Sequence, residues 1–139
     1  MPYSWDFIKQ FNFSHPPTSP FSRNHTVEEN YSKHGIEIKK SGGVEAYLKK
    51  KYLSSDNDFN MTPNNFPYDM ESDIIHYVIW FRLEKFEDFN NPGEVIKIIK
   101  KYELDNSVEF QDVVFFQNIE RLRSVPGIPH IHVFAKITT

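Results

Sequence analysis

The chain has 139 residues with 19 acidic and 16 basic side chains, a net charge of −3 and no cysteine. That length fits one domain with a single core. The mild acidity argues against nucleic acid as the main partner, because neutralising phosphates needs clustered Lys and Arg. Without cysteine there are no disulfides, thiolate nucleophiles or Cys-based zinc sites. No apolar run approaches the ~20 residues that span a bilayer, and no signal peptide is visible. A soluble, cytoplasmic protein with no membrane partner is the expectation.

Residues 1–22 read as an extended arm. Pro2, Pro16, Pro17 and Pro20 exclude long helix because proline lacks an amide donor. Asp6 to Phe13 could form a short helix between them, with Trp5, Phe7, Phe11 and Phe13 docking on the body. Residues 23–139 read as a single α+β domain. Its first helix is expected from a capping box, Thr26 to Glu29, and to run to about His34 with a stop at Gly35. Whether Ile36 to Lys40 resumes it stays open. After Ser41-Gly42-Gly43 a second helix is expected from Val44 to Leu53. Lys39-Lys40 and Lys49-Lys50-Lys51 read as solvated helix faces.

Residues 54–73 are rich in Ser, Asp, Asn and Pro, and read as a long loop. Ile74 to Phe81, β-branched and aromatic, predicts a strand. Asn91-Pro92-Gly93-Glu94 supplies an N-cap, a first-turn proline and a third-position Glu. Val95, Ile98, Ile99 and Tyr102 then follow at helical spacing. Asp112 to Gln117 predicts a strand, Asn118 to Arg123 one helical turn, and Pro129 to Ile137 the closing strand. The order implies a small antiparallel or mixed sheet with helices packed on one face.

Alternation along a strand sorts the chemistry-bearing residues. In the first strand Ile75, Tyr77, Ile79 and Phe81 share one side, and His76, Val78, Trp80 and Arg82 the other. In the last, Ile131, Val133, Ala135 and Ile137 oppose His130, His132, Phe134 and Lys136. If the apolar sides meet the helices, His76, His130 and His132 emerge together, beside Trp80, Phe134 and Arg82, under the Asn64–Tyr68 loop. His15, His25 and His34 read as solvated.

Three imidazoles suit two chemistries. Neutral rings could hold a divalent metal such as zinc, with His76, His130 and His132 as ligands and a bound water as nucleophile. Alternatively an imidazole acts as general base. Either makes the protein, if it is an enzyme, a His-dependent or metal-assisted hydrolase. Asn64, Tyr68, Trp80 and Arg82 would orient the ligand, with Arg suited to phosphate and aromatics to rings. A small molecule is the expected partner. The alternative is a non-enzymatic sensor or interaction module with structural histidines, which could dimerise through its N-terminal arm.

Three blocks resemble a known family. Pro63-Asn64-Asn65-Phe66-Pro67-Tyr68 leads into His76-Tyr77-Val78-Ile79-Trp80. Val113-Val114-Phe115-Phe116-Gln117-Asn118 leads into Leu122-Arg123-Ser124-Val125-Pro126-Gly127-Ile128-Pro129-His130-Ile131-His132-Val133-Phe134. Together with Val44-Glu45-Ala46-Tyr47-Leu48 after Gly42-Gly43, this resembles the N-acetylglucosamine-induced protein family, a domain of unknown function known mainly from fungi. Asn65 stands where that family usually has Asp. The resemblance implies a cytosolic protein linked to amino-sugar response. The ligand expected from the residues and the resemblance together is a phosphorylated sugar or nucleotide-type molecule.

Overall fold

Strands β1 (Phe59–Pro63), β2 (Ile74–Phe81), β3 (Asp112–Phe116) and β4 (His130–Lys136) form one antiparallel sheet in the order β1-β2-β4-β3. The structure, a computed structural model, describes residues 2–40, 42–54, 56–123, 125 and 127–137. Ser41 of the predicted break, and Ser124 and Pro126 of the closing motif, lie outside them. Around the sheet stand helices α1 (Trp5–Ile8), α2 (His25–Lys40), α3 (Val44–Tyr52), α4 (Phe86–Phe89) and α5 (Pro92–Asn106). The class is α+β, as the alternation of patterns predicts.

β1 falls inside the stretch expected to be loop. It pairs with β2 from Phe59↔Phe81 to Pro63↔Tyr77 and lies at the sheet's edge. Its flanking Asp and Asn residues mask it in the sequence. Pro63 is tolerated because an edge strand leaves one set of amides unpaired.

α2 differs from expectation at both ends. Its cap is Asn24 rather than Thr26: the Asn24 side chain accepts from the Val27 amide at 2.9 Å and its carbonyl from the Glu28 amide at 2.9 Å. Gly35 does not stop it. Gly costs a helix about 1 kcal/mol relative to Ala but ends one only where the backbone turns left-handed. That happens later, at Gly42 (φ 109°) and Gly43 (φ 102°), where the Gly43 amide bonds back to the Ile38 carbonyl at 3.0 Å.

α1 is shorter than the Asp6–Phe13 expectation. Asn12 diverts the chain, its side-chain oxygen accepting from the Ser14 and His15 amides at 2.9 and 3.0 Å. Such local bonds compete with the helix ladder. α5 follows its sequence signals closely, with Asn91 accepting from the Glu94 amide at 3.0 Å and Pro92 in the first turn.

The sheet has two dissimilar faces. On one, Tyr77, Ile79, Phe81, Ile131, Val133 and Ala135 pack against Val95, Ile98 and Ile99 of α5 and against Phe86. The other face is also covered, and by two separate bodies. Trp5 and Ile8 of the arm pack on Ile74, Phe116 and Phe134 at one end. Leu48, Tyr52 and Leu53 from and beside α3 pack with Trp80, Val125 and Ile128 at the other. The arm thus spends its aromatics on its own chain. No helix among the described residues is long and apolar enough to cross a membrane.

Candidate functional site: an aromatic cavity above three buried histidines

Strand pairing determines which side chains meet. β2 and β4 place His76 opposite Phe134, Val78 opposite His132 and Trp80 opposite His130, so all three imidazoles lie on the face away from α5. Each is buried. They do not play one role.

His76 and His132 are bonded to each other, Nε2 to Nδ1 at 2.8 Å. The Tyr68 backbone amide donates to His76 Nδ1 at 3.2 Å, and the Tyr68 ring lies over both imidazoles. A backbone N–H cannot reverse its polarity, so His76 Nδ1 must accept and its Nε2 must carry the proton. That proton is donated to His132 Nδ1, which puts the second ring's proton on Nε2. One end of the Asn118 carboxamide lies 3.3 Å from both His132 Nε2 and the Tyr68 hydroxyl. For His132 to donate, this end must be the carboxamide oxygen. The Asn118 backbone carbonyl in turn accepts from Arg123 Nε at 2.9 Å.

Both rings are therefore neutral, since a proton added to either would set two donors face to face. Electrostatics agree. Burial, then the Arg23 guanidinium and His130, pushes His76 down to about 3. Burial, followed by His76, His130 and Arg23, holds His132 well below the ordinary imidazole range.

His130 is different. Its Nδ1 donates to the Ile128 carbonyl at 2.9 Å, leaving Nε2 with the lone pair. Burial lowers its affinity for protons, partly offset by the bond to Ile128, with Arg123 lowering it further. Trp80 flanks it at 4.9 Å between ring centroids and is itself stacked on Tyr52 at 5.7 Å.

Between this end of the sheet and helices α2 and α3 lies a partly open cavity of about 100 Å³. The sheet contributes Val78, Trp80, His130 and His132. The end of β1 contributes Pro63, the loop after it Asn64, Asn65, Phe66 and Tyr68, and the helices Tyr31, His34, Ile38, Val44, Tyr47, Leu48 and Tyr52. Val125 and Arg23 complete it. Arg23 is the single permanently charged side chain among the described lining residues. Its Nε donates to the Phe66 carbonyl at 2.7 Å, Nη1 lies 3.7 Å from Glu28, and the guanidinium sits over the Tyr31 ring at 4.2 Å.

Of the residues expected at the site, Asn64, Tyr68, Trp80, His130 and His132 meet in this cavity. His76 does not line it, because Tyr68 roofs its ring. Arg82 is elsewhere. The chain leaves the sheet after Phe81, and Arg82 reaches back to the Asn57 and Leu53 carbonyls, both at 2.7 Å, holding the turn before β1. Among the described residues no three His, Asp or Glu side chains are grouped to hold a metal ion. The expected ligand set is not assembled, since His76 and His132 turn nitrogens toward each other.

Sequence reasoning missed Arg23 and His34. His34, expected to be solvated, is half-buried and held between Tyr47 and Phe66, each 5.2 Å away by ring centroid. The signal was available. Tyr31, His34 and Ile38 recur at helical spacing, and that stripe shows only once the helix continues through Gly35.

The comparisons with known proteins agree with the motifs. A model of the family described as "Protein of unknown function (DUF3605)" matches residues 4–136. N-acetylglucosamine-induced protein 1 of Candida albicans is 32% identical over 99 residues, covering 65% of this chain and 39% of that protein. The chain therefore spans well under half the length of that relative. The crystal structure of HTC1 is similar in fold, with a TM-score of 0.57 over 98% of this chain and 86% of that one at 18% identity. The match over residues 4–136 spans the arm, the loop motif and the closing His-X-His strand alike, and by it the chain belongs to the DUF3605 family of proteins of unknown function.

Proposed function

We propose that the cavity is a binding site for a small phosphorylated sugar or nucleotide-type molecule, and that the protein acts in the cytoplasm. The observation that carries this reading is a single guanidinium set in an aromatic wall, with no carboxylate among the described lining residues. Such a site welcomes an anion and a ring together. Arg Nη groups suit phosphate oxygens, and Trp80 and the tyrosines suit the flat or apolar face of a sugar or base. Asn64 and Asn65 add amide groups for hydroxyls. Asn65 also donates to the Tyr52 hydroxyl at 3.2 Å, tying loop to helix. The name of the Candida albicans relative makes amino-sugar phosphates the first probes.

The test is calorimetric titration of the full chain with N-acetylglucosamine 6-phosphate, glucose 6-phosphate, uridine monophosphate and inorganic phosphate. At least one organic phosphate should bind. Arg23→Gln should weaken it by roughly 10-fold or more, the value of one charge-assisted bond of about 1.5–3 kcal/mol. If none of the four binds, or if Arg23→Gln leaves affinity unchanged, the reading fails.

A further inference from the structure

We propose that this cavity hydrolyses a small phosphodiester of a nucleoside or sugar, with His130 as general base, His34 as general acid and Arg23 holding the diester anion. The inference rests on the reading above, that the cavity takes a phosphorylated, ring-bearing ligand, and adds a reaction to it.

Imidazole availability selects the pair. Three histidines line the cavity, and His132 is spent, one nitrogen on His76 and the other on Asn118. His130 and His34 remain. His130 comes from the sheet wall, with its Nδ1 proton committed to the Ile128 carbonyl, so its Nε2 lone pair is fixed in tautomer and direction. His34 comes from the helical wall, oriented by Tyr47 and Phe66. Two imidazoles on different walls of one cavity can serve the attacking and departing oxygens of a displacement.

Charge selects the substrate. A phosphodiester carries one negative charge; Arg23 donates from Nε to Phe66 and shares its charge with the half-exposed Glu28 carboxylate 3.7 Å from Nη1, which leaves Nη2 and a partly neutralised guanidinium suited to a singly charged ligand. A phosphomonoester carries close to two charges at neutral pH. In a partly desolvated aromatic cavity the second is only weakly compensated, so a monoester binds but less tightly than the diester, which favours release of the product.

The step balances without an external reagent other than water. His130 Nε2 removes a proton from a water molecule as its oxygen bonds to phosphorus. The phosphorus–oxygen bond to the sugar breaks, and protonated His34 delivers its proton to that leaving oxygen. The products are a phosphomonoester and a free hydroxyl; solvent then returns a proton to His34 and takes one from His130.

The experiment follows phosphorus NMR of the full chain with uridine 2′,3′-cyclic phosphate, uridine 3′,5′-cyclic phosphate and a dinucleoside monophosphate. Conversion of at least one to a monoester is expected. His130→Ala and His34→Gln should each lower kcat by roughly 100-fold or more, while calorimetric affinity changes only a few-fold. His34 is half-buried and on a helix surface, so its variant folds even where His130→Ala does not. Binding of a diester without turnover overturns the inference and leaves the binding reading intact. Turnover that survives His34→Gln overturns the acid–base pair. No binding of any diester or monoester sinks both.

Discussion

The two faces of one sheet solve opposite problems with the same strands. The face under α5 is apolar but for the Tyr77 hydroxyl: Phe81, Ile79, Ile131 and Val133 are fully excluded from solvent. Its stability comes from area removed from water and close packing, which need no direction. The opposite face carries His76, His130, His132 and Asn118, also buried, and there polar atoms call for partners, which the buried Trp80 Nε1 lacks among the described residues. Direction is what that face gains. A chain of bonds from the Tyr68 amide through two imidazoles to Asn118 leaves His130 as the interior imidazole with a free lone pair beside the cavity. A packed apolar face makes the strands rigid enough for such a network to hold its tautomers.

That contrast can be broken from either side. Phe81→Ala removes a fully buried ring from the α5 face and should cost about 3–5 kcal/mol in urea unfolding. The cavity, on the far side, should keep its ligand affinity in whatever fraction stays folded. An equal loss of affinity would mean that the faces are not separable.

Acid attacks the other face. His76 is held neutral when folded, down to about 3, whereas in the unfolded chain it takes a proton near 6.5. Between those values the unfolded state binds more protons, so stability falls as pH falls. For His76 alone the loss should reach ~2 kcal/mol by pH 5. His132 and His130 act in the same direction. Unfolding curves between pH 7.5 and 5 measure it. Nitrogen NMR of the side chains at pH 7 should show protons on Nε2 of His76 and His132 but on Nδ1 of His130. A charged imidazole among these three at that pH contradicts the network.

The smallest effect concerns the cavity's outer wall. Asn24→Ala removes the cap of α2 and should cost about 1 kcal/mol, with faster amide exchange at Val27 and Glu28. If the box at Thr26 were the working cap, this change would have no effect and Thr26→Ala would.

Local patterns in the chain were enough for β2, β4 and α5. β-branched runs of period two, and an Asn-Pro-Gly-Glu start before apolar residues at helical spacing, owe little to distant partners. The same period put His76, His130 and His132 on one face of their strands, because side-chain alternation is a property of extended backbone. Local chemistry misled where two signals competed. Asn24 and Thr26 both could cap, and Gly35 and Gly42-Gly43 both could stop; the structure uses Asn24 and Gly42-Gly43. β1 was illegible because an edge strand among Asp and Asn takes its structure from the neighbour that pairs with it.

What tertiary structure alone decided was the division of labour. Alternation cannot say that Tyr68 folds its amide onto His76, that Arg82 turns away to hold a loop, or that Arg23, 57 residues from Trp80 in sequence, supplies the charge instead. Those outcomes depend on which groups separated in sequence reach hydrogen-bond distance. A residue's type sets the bonds it can make, and only the assembled fold sets which of them are left over for a ligand.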